Sequence, residues 1–211
     1  ENNLASPSFI AGHSLGEFTA LVAANSLTFN DALKVVTKRA ELMQKAVPEN
    51  EGAMAAIIGL EDHKVVDICN EVQGDGILEA VNFNSPGQVV VAGTKSIIEK
   101  SLQSFKDAGA KRAILLPVSV PSHCKLMQPA SILFGDYLNK IDFNLPEFPI
   151  IQNFEAIDYS ELEKIKLALV RQLFNPVMWT QSIQSLSSKG IDLFIEAGPG
   201  KVLTGLNRRI N

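Results

Sequence analysis

Cysteine is scarce in this sequence. Cys69 and Cys124 are the only two, and their separation matches neither a metal-binding nor a redox spacing. A disulfide scaffold is therefore excluded as the organising device, and Cys69 reads as a small buried apolar side chain. The compartment expected from this is the reducing cytoplasm. Positive charge is also short: 19 Lys and Arg stand against 23 Asp and Glu, a net charge of -4. No basic excess exists to neutralise phosphates, which argues against nucleic acid as a partner. One local Arg can still recognise a small acidic ligand. No apolar run reaches the length of a membrane span. Glu1-Asn2-Asn3 lacks the basic and then apolar stretch of a secretory signal. Repeats and low-complexity tracts are absent, and only three histidines occur.

What remains is 211 residues with 46% hydrophobic content, ample for a packed core. Strand-like and helical patterns alternate, so the fold class expected is α/β. Ser8–Ala11 reads as a strand end, followed by a helix from about Leu15 to Asn25. Thr28-x-x-Asp31 resembles a capping box ahead of a helix over Phe29–Ala46. From Gly52 to Val118 the rhythm is strand, helix, strand, strand, helix, strand, the split βαβ order of a ferredoxin-like unit. Residues 52-118 thus read as a subdomain inserted into a larger one formed by 1-51 and 119-211. After Pro121 the pattern gives a helix over Cys124–Ile141 and a strand near Ile150. Helices over Ser160–Phe174 and Thr180–Lys189 follow, then a strand at Leu193–Glu196 and a last helix.

Gly12-His13-Ser14-Leu15-Gly16 matches the G-x-S-x-G nucleophile elbow. A serine on a tight strand-to-helix turn has its Oγ lifted clear of the sheet. The paired glycines are expected because side chains there would collide. The Leu15 N–H, at the start of the helix, would point at an acyl oxygen. A structural turn with an ordinary Ser is the competing reading. For the base, His13 lies beside the nucleophile, and consecutive side chains diverge. His63 opens an amphipathic helix and should face solvent. His123 stands where a strand ends and a helix begins, a place where α/β sites collect. It can take the Ser14 proton and return it to a leaving thiol; a satisfied structural histidine is the alternative. Ser122-x-x-Lys125 resembles the S-x-x-K of penicillin-recognising enzymes, but the companion motifs are missing. Cys124 is discounted as nucleophile because it adjoins His123.

Arg39 falls in the apolar stripe of Ala32, Val35, Val36, Leu42, Met43 and Ala46. A guanidinium on that face needs an anion. An internal partner such as Glu17, snorkelling, or a substrate carboxylate held bidentately would each serve. The last would select a dicarboxylic acyl group.

Several segments together resemble the malonyl-CoA:acyl-carrier-protein transacylases of bacterial fatty-acid synthesis along essentially the whole chain. They are Gly12 to Glu17, Arg39-x-x-Leu42-Met43-Gln44, Gly52 to Ala56 and Asn82 to Gln88. Pro117 to His123, Gln172-Leu173-x-Asn175-Pro176-Val177-x-Trp179 and Glu196-x-Gly198-Pro199-Gly200 complete the set. The resemblance implies an α/β-hydrolase-like core with a parallel sheet and an inserted ferredoxin-like subdomain. It implies that Ser14 carries a malonyl ester, His123 acts as base, Arg39 holds the malonyl carboxylate and Gln172 orients His123 through its backbone carbonyl. His13, Asn82, Asn84, Gln88 and Asn153 are pocket candidates. The partners implied are coenzyme A thioester and acyl carrier protein, with no cofactor and no metal. A monomer is the default expectation. A polyketide-type acyltransferase and a serine esterase are the alternatives. Family members also begin with a strand and a Gly-Gln-Gly-Ser-Gln loop that supplies a second oxyanion donor. The expectation is then a fragment or truncated product, inactive or poorly active for want of a donor worth ~2.7–4 kcal/mol.

Overall fold

The computed structural model describes residues 6–118 and 120–211; Ser119, within one of the segments above, lies outside them. A short strand β1 (Ile10–Ala11) runs into helix α1 (Leu15–Ala23). Helix α2 (Phe29–Ala46) follows, with the boundaries its capping pattern implies. The Thr28 Oγ1 accepts from the Asp31 N–H at 3.1 Å and satisfies an otherwise unpaired first-turn donor. Strand β6 (Ile150–Ile151) pairs parallel with β1, Ile10 opposite Ile150 and Ala11 opposite Ile151. Around this pair lie α5 (Gln128–Leu138) and α6 (Leu162–Gln172). The apolar faces of α1, α2, α5 and α6 form one core that includes Phe18, Leu21, Val35, Phe134 and Leu169.

The second sheet has four strands. In chain order come β2 (Gly52–Ile58), α3 (Asp62–Val72), β3 (Leu78–Ser85), β4 (Gln88–Thr94), α4 (Lys95–Asp107) and β5 (Arg112–Leu115). The spatial order is β3-β4-β2-β5 and every pairing is antiparallel, the ferredoxin-like arrangement. Pro86-Gly87 closes the β3–β4 hairpin, with Gly87 at φ 71, a conformation that suits glycine. Period-two alternation divides the strand residues between two faces. Ala53, Ala55 and Ile57 pack with Val65, Ile98 and Phe105 of α3 and α4. Met54, Val81, Val90 and Ala92 face the other way and pack against Cys124. That second face is how the inserted sheet supports the His123 segment. A Cβ on Gly52 would lie 2.4 Å from the Pro121 ring, so the approach there requires glycine.

Two expected elements differ. The helix expected over Cys124–Ile141 is split into a 3-10 turn, Lys125–Met127, and α5. Pro129 has no N–H for the Lys125 carbonyl and its ring crowds that carbonyl, so an α-helix can carry it only in the first turn. The strand expected at Leu193–Glu196 is irregular chain without ladder pairing among the described residues. Leu193 and Ile195 are exposed there, while Phe194 packs beside α7 (Trp179–Ser188) and α8 (Val202–Ile210). Glu196 instead caps α8, accepting from the Leu203 and Thr204 N–H groups.

Candidate active site

Ser14 sits between β1 and α1 at φ 53 and ψ -107, a strained conformation for a residue with a Cβ. The turn is tight enough that a Cβ on Gly12 would lie 2.0 Å from the Gly16 carbonyl. Gly12 is therefore required by space. Gly16 is different: among the described residues a Cβ there meets nothing within 4 Å, so the expected collision is seen for one glycine of the pair. Leu15, as the first residue of α1, has no i−4 carbonyl within the helix for its N–H.

His123 reaches the serine from the segment that the inserted sheet supports. Its Nδ1 lies 2.6 Å from the Gln172 carbonyl oxygen. A carbonyl only accepts, so Nδ1 carries the proton and Nε2 is a free lone pair. The Ser14 hydroxyl donates to that Nε2 at 2.8 Å. His123 itself holds φ 66, and its N–H donates to the Leu173 carbonyl. Burial, then the Arg39 charge, push the imidazole down to about 3, while the Gln172 carbonyl opposes the shift. The ring is thus a neutral base across the physiological range.

Arg39 projects from the buried face of α2 over the Phe18 ring, 5.7 Å from its centroid. One terminal nitrogen donates to the Ser14 Oγ at 3.1 Å and to the Gln172 Oε1 at 3.0 Å. Burial lowers its pKa to about 10, so it stays charged at neutral pH. Among the described residues no carboxylate lies within ion-pair distance of it. Its buried Nε also lacks a partner among those residues. The Glu17 anchor weighed for it is displaced by the Gln172 amide, which stands between the two.

Asn153, just beyond β6, is more central than its place among the pocket candidates implies. Its Oδ1 accepts from the Ser14 N–H at 2.6 Å and its Nδ2 donates to the Gly12 carbonyl at 2.7 Å. It pins both ends of the elbow. His13 donates to the Asn84 Oδ1 at 2.8 Å, with its ring 5.7 Å from Trp179. Asn82 lies in β3 beside Val177, its side-chain oxygen buried and unpartnered among the described residues. Gln88 is not brought into this network; its side chain accepts from Arg209 at the surface. His63 is exposed beside Glu61. The contributions that the sequence left unassigned are the Gln172 side-chain amide and the Glu17 carboxyl. The amide donates to the Ser14 carbonyl at 3.0 Å and to the Glu17 Oε2 at 2.8 Å. Among the described residues no group of three or more His, Cys, Asp and Glu is placed to hold a metal ion.

The depressed His123 has a consequence for stability. Its pKa is near 6.5 unfolded and about 3 folded, so the unfolded chain takes up a proton that the native state refuses. The contribution is full above pH 6.5 and is lost as pH falls toward 3, by roughly 3–5 kcal/mol if the whole shift is expressed. Glu17 runs the other way. Burial raises it to about 7, so its contribution is full below about 4.5 and lost as pH rises through 7. In His123→Gln only the first effect is removed. The melting temperature of the wild type should fall relative to this variant between pH 6.5 and 4; a pH-independent difference would contradict the assignment.

An elbow serine hydrogen-bonded to a neutral imidazole, beside an N–H at a helix start, is the arrangement of a serine-nucleophile site. The chain belongs to the acyl transferase domain family, whose model matches residues 5–209. It is similar to the malonyl CoA-acyl carrier protein transacylase of Escherichia coli K12, 50% identical over 97% of this chain and 66% of that protein. A solved acyl carrier protein S-malonyltransferase from Vibrio cholerae superimposes with a TM-score of 0.96 at 50% identity, covering 98% of this chain and 68% of that one. A malonyl-transacylase in complex with a type II PKS acyl-carrier protein gives 0.96 at 48% identity, over 98% and 67%. The chain spans about 66% of the length of the curated relatives it matches.

Proposed function

We propose that the chain carries malonyl transfer from malonyl-CoA to the phosphopantetheine thiol of an acyl carrier protein in fatty-acid synthesis. The observation that carries the acyl choice is Arg39: a buried guanidinium beside Ser14 Oγ, with no carboxylate in ion-pair range among the described residues. Such a cation calls for an anionic ligand that arrives with the acyl group. The protein names of the relatives support the same reading.

The steps follow from the geometry. The malonyl carboxylate binds the guanidinium, which releases its contacts to the Ser14 Oγ and the Gln172 side chain. His123 Nε2 takes the Ser14 proton as Oγ attacks the thioester carbon. The negative oxygen that forms is met by the Leu15 N–H at the start of α1. As the C–S bond breaks, the imidazolium returns its proton to the CoA thiolate. The carrier thiol then gives its proton to Nε2 and attacks the ester. The tetrahedral centre collapses, the proton returns to Ser14 and the malonyl thioester leaves. The Gln172 carbonyl holds the tautomer throughout without adding a full charge. Side chains and two thiols account for every bond made and broken, so the reaction as drawn calls on no cofactor.

Arg39→Ala should lower kcat/KM for malonyl-CoA about 10²-fold, the order expected from one lost charge-assisted pair. Acetyl-CoA should lose no more than a few-fold. Steady-state rates with both thioesters measure this; unchanged selectivity would remove Arg39 from the role.

We place the site in the cytoplasm. The two thiols, Cys69 and Cys124, are free and buried, as in proteins kept reduced. No helix among the described residues is long and apolar enough to cross a membrane. A carrier that serves polyketide synthesis is the second reading, favoured by the type II PKS complex of a 48%-identical transacylase. Transfer rates to the two kinds of carrier protein separate them.

A further inference from the structure

Glu17 is fully buried in the first turn of α1, yet no step above uses it. Its partners are specific. One oxygen, Oε2, accepts from the Gln172 side-chain nitrogen at 2.8 Å and from the Asn153 backbone N–H at 3.2 Å. The other oxygen, Oε1, is buried without a partner among the described residues. Those two donors belong to the residues that build the rest of the site. Gln172 presents its carbonyl to His123 Nδ1, and Asn153 receives the Ser14 N–H. The three residues come from α1, from the loop after β6 and from the end of α6, separated by 136 and 155 positions.

We propose that Glu17 is a positioning residue whose single oxygen Oε2 locks Gln172 and Asn153 together, so that the orientation of His123 and that of Ser14 are set by one acceptor. The inference rests on the acyl-transfer reading above and names a further residue for it. Without Oε2, two buried donors would lose their partner, and each would turn to another acceptor. The Gln172 amide has the Ser14 carbonyl within reach at 3.0 Å and already supports Arg39 through its oxygen. A rotated amide would shift the backbone carbonyl that holds His123. The role requires an acceptor and not a charge. Burial raises the Glu17 carboxyl to about 7, against the Gln172 and Asn153 hydrogen bonds and the Arg39 charge. A proton on the unpartnered Oε1 leaves the Oε2 lone pairs available.

The test compares Glu17→Gln with Glu17→Met in the protein assayed for malonyl-enzyme formation by rapid quench. The amide oxygen of E17Q can accept both bonds, whereas the methionine side chain fills the space and offers none of comparable strength. E17Q should acylate within about fivefold of wild type. E17M should lose about 10²-fold in the acylation rate constant while its Kd for malonyl-CoA changes less than threefold. The downfield proton resonance of the His123 Nδ1–H should persist in E17Q and move upfield in E17M. A general loss of structure would not separate rate from affinity in this way. The inference is overturned if E17M acylates like wild type with the resonance unmoved, or if E17Q loses as much as about 10²-fold. Should E17M fail to fold, a loss of about 10²-fold in E17Q still overturns the inference. Wild type that labels beside an inert Ser14→Ala upholds the transfer reading whatever the Glu17 variants do. Wild type that does not label defeats that reading first.

Discussion

Ser14→Ala should abolish the malonyl-enzyme and lower transfer by at least ~10⁴-fold, the scale seen when a serine nucleophile is removed. Neither Cys124 nor Lys125 can replace the Oγ. Cys124 is the nearest thiol in sequence to the base, but its Sγ donates to the Pro121 carbonyl and burial pushes it up to about 12. A thiol held in that way is not the thiolate that attacks. Lys125, of the Ser122-x-x-Lys125 pattern, pairs with Glu79 at the surface. The variant should fold normally, because φ 53 and ψ -107 strain alanine as they strain serine. A melting temperature within a few degrees of wild type, together with loss of the adduct, is the combined result expected.

His123→Ala should cost roughly 10⁴-fold in acylation, the range for a base that also serves as acid. Two contributions are lost together. The Nε2 lone pair is removed 2.8 Å from the hydroxyl, and the orienting bond from Nδ1 to Gln172 disappears. The residual rate should rise with pH as hydroxide replaces the missing base. The wild-type imidazole, neutral well below pH 7, should show no such dependence on this group between pH 6 and 8. Rapid-quench acylation across that range distinguishes the two profiles. A variant within tenfold of wild type would return His123 to a structural role.

Local chemistry made some parts legible in the sequence. The Thr28–Asp31 cap placed α2, and turn residues at Pro86-Gly87 placed the β3–β4 hairpin. Chemical type and position also marked Ser14 and His123, one by its elbow and one by its strand end. Arg39 was visible because a charge interrupts an apolar stripe. What the sequence hid depends on pairing across the chain. Glu17 has one donor partner 136 positions away and another at 155, and nothing in its neighbours signals either. Asn153 looks like a loop residue until β6 is set beside β1. The Gln172 side chain was overshadowed by its backbone, since only the carbonyl is needed for a triad-like role. Leu193–Glu196 misled for the opposite reason. An apolar run with β-branched character implies a strand, but a ladder needs an edge, and among the described residues that segment finds none. At Gly16, in contrast to Gly12, no neighbour among the described residues demands a glycine.

The central claim is that Ser14 takes a carboxylated acyl group because Arg39 stands beside it. Intact-protein mass spectrometry with peptide mapping, after brief mixing with equal malonyl-CoA and acetyl-CoA, tests this most directly. The predicted result is a mass increase of one malonyl group on the peptide that carries Ser14, with little acetyl adduct. An acetyl adduct equal to or above the malonyl one, or an adduct on any other residue, would contradict it.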